Sequence, residues 1–225
     1  MTARKTQIEP LGDSALLIRL GEQIDEETHR RVVAVSTGLA ANPFPGMIEQ
    51  VPAFTTVAVH YDPSLTTFAS ASALVSTLIQ NASLAPLPDA DVVEIPVCYD
   101  GDLAPDLAFV AGHAKLAPEE VVRLHASGDY RVYMIGFTPG FPFLGGLPPQ
   151  IATPRRSSPR LAVPAGSVAI GGQQTGVYPI ESPGGWQIIG RTHVRLFRAD
   201  ADPPTLLRMS QRVRFRPISR AEFDA

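Results

Sequence analysis

Arg155, Arg156 and Arg160 are the only cations between Gly136 and Gly190. Arginine grips a carboxylate or phosphate through two parallel hydrogen bonds, so these three among neutral, glycine-rich backbone make a candidate anion site. The bland alternative is three solvated loop charges. Around them run three motifs: GFTPGFPFLGGLP (Gly136 to Pro148), TPRRSSPRLAVPAGSVAIGG (Thr153 to Gly172) and QTGVYPIESPGGWQIIGRT (Gln174 to Thr192). In the first, Phe137, Phe141 and Phe143 are separated by glycine and proline, not by helical or strand spacing. Proline restricts φ and glycine permits positive φ, so such a loop holds one shape at low entropic cost. It is either a wall for a ligand or partner groove or a plug closing the end of a barrel. Gln174, Tyr178, Ser182 and Trp186 add neutral donors and a stacking face, although each also serves in turns and cores.

Other chemistry is thinly represented. There is no GxxxxGK[ST] and no GxGxxG opening a helix after a strand. The pairs Gly171-Gly172 and Gly184-Gly185 could offer N–H groups to phosphate, a weak signal alone. His29, His60, His113, His125 and His193 lack metal-ligand spacing, and no metal site is expected. His125 precedes the phenylalanine loop closely enough to reach it. Ser182-Pro183-Gly184 is not a nucleophile elbow, because G-x-S-x-G is missing. Cys98 follows an apolar strand and reads as a small buried hydrophobe. No catalytic set is complete, so the pattern points to a subunit that completes a site with another chain.

The elements that must carry these residues fall into two parts. In the first, Ser14 to Leu20 alternates as a strand, and Asp25 caps a helix opening on Glu26 and Glu27 and carrying Val32, Val35 and Leu39. A second strand covers Thr55 to Tyr61. A second helix bears Phe68, Ala71, Val75, Leu78 and Ile79 on one stripe. Ala85 to Asp89 reads as a linker. In the second part, Val92 to Val97 is a strand, and two short helices follow with Pro105 and Pro118 at their first positions. Gly128 caps the second of them. From Gly136 to Gly190 the chain holds 11 of its 18 glycines and nine of its 22 prolines. That density forbids helices and suits short strands joined by stiff turns, as in a β-barrel or sandwich. Ser167 to Ile170, Gln187 to Ile189, Val194 to Phe197 and Val213 to Phe215 are the candidate strands.

Composition narrows the function classes. The 225 residues are 44% hydrophobic and 18% charged, too apolar for a disordered tail. No apolar run reaches the length of a spanning helix, and the start MTARKTQIEP lacks a secretory signal, so the expectation is a cytoplasmic protein without a membrane partner. One cysteine excludes an internal disulfide framework. A net charge of −3 argues against nucleic acid as a partner.

The three motifs, in this order, resemble the allophanate hydrolase subunit 1 family, which includes KipI, an inhibitor of a sporulation histidine kinase, and the B subunit of bacterial 5-oxoprolinase. The strong match covers about Tyr130 to Pro217. The resemblance implies an α+β N-terminal domain (residues 1–85) followed by a mainly β, cyclophilin-like barrel domain (residues 86–225). It implies direct contact with the C subunit of 5-oxoprolinase and cooperation with the A subunit in hydrolysing 5-oxo-L-proline to L-glutamate. ATP is then used by the complex, with direct contact by this chain left open. The alternative within the family is an inhibitor docked on a histidine kinase. Motif positions carried over as substrate-binding or partner-facing candidates are Phe137, Pro139, Phe141, Arg155, Arg160, Ala165, Gly166, Ser167, Gln174, Tyr178 and Trp186. No catalytic residue is assigned. An unreactive lactam coupled to ATP suggests a phosphorylated imidate, with charge growing on phosphoryl and carbonyl oxygens. Arg155 or Arg160, with the N–H groups of Ala165 to Ser167, is the expected anion-orienting set at the junction with the C subunit.

Overall fold

The computed structural model describes residues 6–81 and 91–225, which fall in two compact units, Met1–Asp89 and Ala90–Ala225. The linker expected at Ala85 to Asp89 lies outside the described residues. In the first unit β1 (Gln7–Pro10), β2 (Ala15–Arg19), α1 (Glu26–Ala41), β3 (Met47–Pro52), β4 (Thr56–Tyr61) and α2 (Phe68–Asn81) follow one another. The strands form one antiparallel sheet in the order β1-β2-β4-β3. Strand alternation buries Leu16, Ile18, Val57, Val59 and Tyr61, and the helices bury Val32, Val35 and Leu39 from α1 and Ala71 and Val75 from α2. Asp25 accepts the Thr28 N–H at 2.8 Å, a cap worth about 1 kcal/mol. Periodicity misses β1 and β3. Both are edge strands containing proline, recruited by pairing with β2 and β4 and not by an apolar alternation of their own.

The second unit contains β5 (Val92–Cys98), α3 (Leu107–Ala114), α4 (Pro118–Ser127), β6 (Tyr130–Ile135), β7 (Pro142–Gly145), β8 (Arg160–Val163), β9 (Ser167–Gly171), β10 (Gln174–Val177), β11 (Ser182–Gly184), β12 (Gln187–Arg191), β13 (Arg212–Ile218) and α5 (Arg220–Asp224). Seven strands close a barrel in the order β10-β7-β6-β13-β5-β12-β9, with β9 pairing β10 to complete the ring. Only β5 and β13 run parallel. β8 and β11 stand apart as a two-stranded ribbon. The barrel interior is filled by Ile95, Val132, Leu144, Ile170, Val177, Ile189, Val213 and Phe215, and α3 and α4 add Val110, Ala111 and Val121 to the same core.

Several local expectations need correcting. Pro105 precedes α3, whose N-cap is Asp106. Gly128 ends α4 in an extended conformation, so its lack of a side chain is not used for a left-handed cap; a Cβ there would lie 2.4 Å from the Tyr130 ring. Val194 to Phe197 is not a strand, and its one ladder contact is the isolated bridge from Phe197 to Thr205. Phe143 belongs to strand β7, although glycine and proline hide the alternation in sequence.

Candidate functional site

Each strand of the barrel has two faces, and the aromatic motif residues lie on the outer one. Leu144, Ile170, Val177 and Ile189 point into the interior core. Their chain neighbours Phe143, Ala169, Tyr178 and Ile188 join Phe141, Val163 and Trp186 in a second cluster. The period of two along a strand makes this the outside of the barrel wall. Phe141 is its centre, with ring centroids 4.8 Å from Phe143, 5.1 Å from Tyr178 and 5.5 Å from Trp186. Phe137 leans on this cluster, 5.5 Å from Phe141 and 6.3 Å from Tyr178, yet stays 62% exposed. The loop therefore does not plug the barrel; α3 and α4 complete the interior core.

The loop holds Phe137 in a costly shape. Its φ is +70°, and the Thr138 N–H donates to the Gly136 carbonyl at 2.9 Å, closing a three-residue turn around it. A bulky residue in that region costs about 1–3 kcal/mol. The Gly136 N–H to Phe141 and Phe141 N–H to Thr138 bonds, with Pro139-Gly140 between, over-determine the turn. Pro139 is exposed and acts as a stiff turn residue.

Asp106 organises the arginines. Its side chain is only 6% exposed. Oδ1 accepts from Arg160 Nη2 at 2.8 Å and from Arg156 Nη1 at 3.2 Å, and Oδ2 accepts the Ile188 N–H at 2.7 Å. The Asp106 N–H donates back to the Ile188 carbonyl at 2.9 Å. One side chain thus ties the start of α3 to β12 and to the arginine segment. Sequence reasoning missed it, because its partners lie 50 to 82 residues away. Arg156 and Arg160 are consequently ion-paired, not solvated loop charges. Arg155 differs: it has no ion-pair partner among the described residues, and its guanidinium carbon lies 5.8 Å from the centroid of Trp186.

Two of the backbone N–H groups expected to meet an anion, those of Gly166 and Ser167, are engaged already. The Gly166 N–H donates to the Tyr178 carbonyl at 2.7 Å and the Ser167 N–H to Pro164 at 3.2 Å, so these two are not open donors for an anion. The Ala165 carbonyl accepts from Arg191 Nε at 3.0 Å. The turn is structural. Gly166 has φ +81°, and a Cβ there would stand 2.1 Å from the Thr192 carbonyl oxygen. Gly166→Ala is expected to destabilise the barrel unit by at least about 2 kcal/mol. Denaturant unfolding followed by the emission of Trp186 measures it.

The three motifs also contain unmatched polar atoms. Thr138 Oγ1, Arg160 Nη1, Gln174 Nε2 and Ser182 Oγ are all buried without a hydrogen-bond partner. Gln174 lies two residues before Gly176 on β10, on the outer face, while Thr175 between them points inward. Tyr178 is pushed above its ordinary pKa by burial, although the backbone N–H of Trp186 and the nearby Arg155 and Arg160 pull the other way, so it keeps its proton.

His125 does not approach the phenylalanine loop. It is fully buried inside the barrel and stacked on Phe215 at 4.6 Å. Thr175 donates its hydroxyl proton to the Ala169 carbonyl, so its oxygen accepts from His125 Nε2 at 2.9 Å. Nδ1 then accepts the Tyr99 hydroxyl at 2.8 Å. Burial depresses the imidazole pKa to about 3, so it is neutral and fully engaged at physiological pH.

Fold and face together define a barrel protein whose outer wall carries a buried aromatic cluster flanked by the exposed Phe137 and Arg155. The chain belongs to the family of the carboxyltransferase domain, subdomain C and D, whose model matches residues 6–207. It is 48% identical over its whole length to the B subunit of the Bacillus subtilis 5-oxoprolinase, covering 98% of that protein. It is 41% identical to the Escherichia coli O157:H7 protein of the same name over 92% of this chain and 94% of that one. Among solved structures, TTHA0988 superposes with a TM-score of 0.80 at 39% identity over 92% of this chain. This chain spans 40% of the length of that one. The urea carboxylase of Kluyveromyces lactis, at 19% identity, has the same fold with a TM-score of 0.81 over 98% of this chain and 22% of its own. No helix among the described residues is long and apolar enough to cross a membrane.

Proposed function

We propose that this chain is the B subunit of a 5-oxoprolinase, which hydrolyses 5-oxo-L-proline to L-glutamate with ATP and works only when joined to its A and C subunits. The observation that carries the reading is the 48% identity, over essentially both full lengths, to the B subunit of a curated 5-oxoprolinase. The geometry is compatible with a non-autonomous role. The buried histidine is neutral and engaged, and Arg155 and Phe137 stand exposed beside a buried aromatic cluster. The N–H groups of Gly166 and Ser167 have protein acceptors, so the reading leaves the nucleotide phosphates to a partner subunit.

The ribbon supports a partner on the outer wall. β8 and β11 pair only with each other among the described strands, leaving an open edge on each. Leu161 on β8 is 93% exposed, more than any other large hydrophobic residue described. In this reading Leu161 and Phe137 face the C subunit.

The test mixes the purified chain with the A and C subunits and follows ADP release that depends on 5-oxoproline. Activity of the mixture, with none from this chain alone, is the expected result; a lone chain that opens the lactam refutes the subunit role. Leu161→Asp is expected to weaken assembly by about tenfold or more while moving the chain's own stability by less than about 0.5 kcal/mol. Size-exclusion chromatography of the mixture and a melt of the single chain separate the two effects.

A further inference from the structure

We propose that Arg155, set on Trp186 and backed by Tyr178 and Arg160, binds the carboxylate of the small ring acid that the enzyme consumes; this rests on the 5-oxoprolinase reading above. The segment carries three guanidinium groups, and the buried carboxylate of Asp106 engages two of them, Arg156 and Arg160. The one acid within the segment, Glu181, is exposed and pairs with none of them. Arg155 therefore carries an uncompensated charge on a fixed platform. Trp186 is buried against Phe141 and Phe143, and its ring fills the space a Cβ at Gly171 would need, 2.5 Å away. A guanidinium lying on an indole has given up part of its side-chain freedom before a ligand arrives, while its N–H fork stays available to a carboxylate.

Unmatched donors on the flanking motif segments also call for an acceptor. Arg160 Nη1 and Gln174 Nε2 can only donate, and the Ser182 hydroxyl, in a residue 8% exposed, has no acceptor either. Native proteins leave few such groups buried. The Tyr178 oxygen takes the backbone N–H of Trp186 and its hydroxyl keeps a proton to give. A carboxylate brings acceptors and no donor. Its single charge matches one unpaired arginine, and the segment contains no lysine to support a phosphoryl dianion. The exposed ring of Phe137 offers an apolar surface to ring methylenes.

The assembled enzyme tests this directly. Arg155→Gln is expected to raise KM for 5-oxoproline about tenfold or more with kcat changed less than about threefold, and Arg155→Lys to restore part of the loss. An active assembly in which Arg155→Gln leaves KM unmoved overturns the inference and leaves the 5-oxoprolinase reading standing. An inactive assembly of unsubstituted subunits overturns that reading instead. The site is then decided on the full chain by the fluorescence of Trp186, its one tryptophan. A saturable response to 5-oxoproline, absent with 2-pyrrolidinone (the same ring without the carboxylate) and with inorganic phosphate, supports the carboxylate site. Equal responses, or none, overturn it.

Discussion

Asp106→Ala is expected to lower the unfolding free energy of the barrel unit by about 3 kcal/mol. The substitution removes the acceptor of two guanidinium groups and of the Ile188 N–H in one step. What remains is a buried backbone donor without a partner and like charges side by side. Breaking a buried pair from one side costs about 3–5 kcal/mol, and here that range is reduced because Arg156 and Arg160 keep 36% and 25% of their side chains in water. Asp106→Asn retains an oxygen for one donor and should lose less. Trp186 sits in this unit alone, so its emission during urea unfolding reports the barrel without interference from the first unit. A midpoint unchanged within error would mean that the clamp contributes nothing to stability. Association with partner subunits should also weaken, since the same clamp holds the arginine segment.

The second large effect is a dependence on acid. His125 has a folded pKa of about 3, below its ordinary 6.5, because burial disfavours the imidazolium. Above pH 6.5 both folded and unfolded chains hold it neutral, and its contribution is complete. As pH falls from 6.5 towards 3 the unfolded chain takes up a proton that the folded chain refuses. Unfolding free energy then drops by up to about 1.4 kcal/mol per pH unit. Between pH 7 and pH 4.5 the barrel unit should lose about 2.5 kcal/mol from this group. His125→Gln should be less stable at pH 7 by about 3 kcal/mol, because the stack on Phe215 and the bonds to Tyr99 and Thr175 are disturbed, but should lack that slope. Parallel slopes in the two proteins would refute the assignment.

A reader of the amino-acid string alone obtains the cap at Asp25, the alternation in β2, β4 and β13, the stripe of α2 and the stiffness of residues 136–190. Each depends on residues adjacent along the chain: a side-chain oxygen reaching three residues on, a period of two, or the restricted φ of proline. The same string marks Arg155, Phe137, Phe141, Tyr178 and Trp186 as belonging together, and they do pack on one wall. It does not reveal that Asp106 engages Arg156 and Arg160, that the N–H groups of Gly166 and Ser167 are occupied, or that His125 lies inside the barrel while Phe137 lies outside. These follow from barrel closure, which pairs strands distant in sequence and assigns alternate residues to inside and outside. A hydrogen bond spanning 82 residues has no local signature. It forms because a closed sheet brings β12 against the start of α3, and only there does a buried carboxylate find three donors.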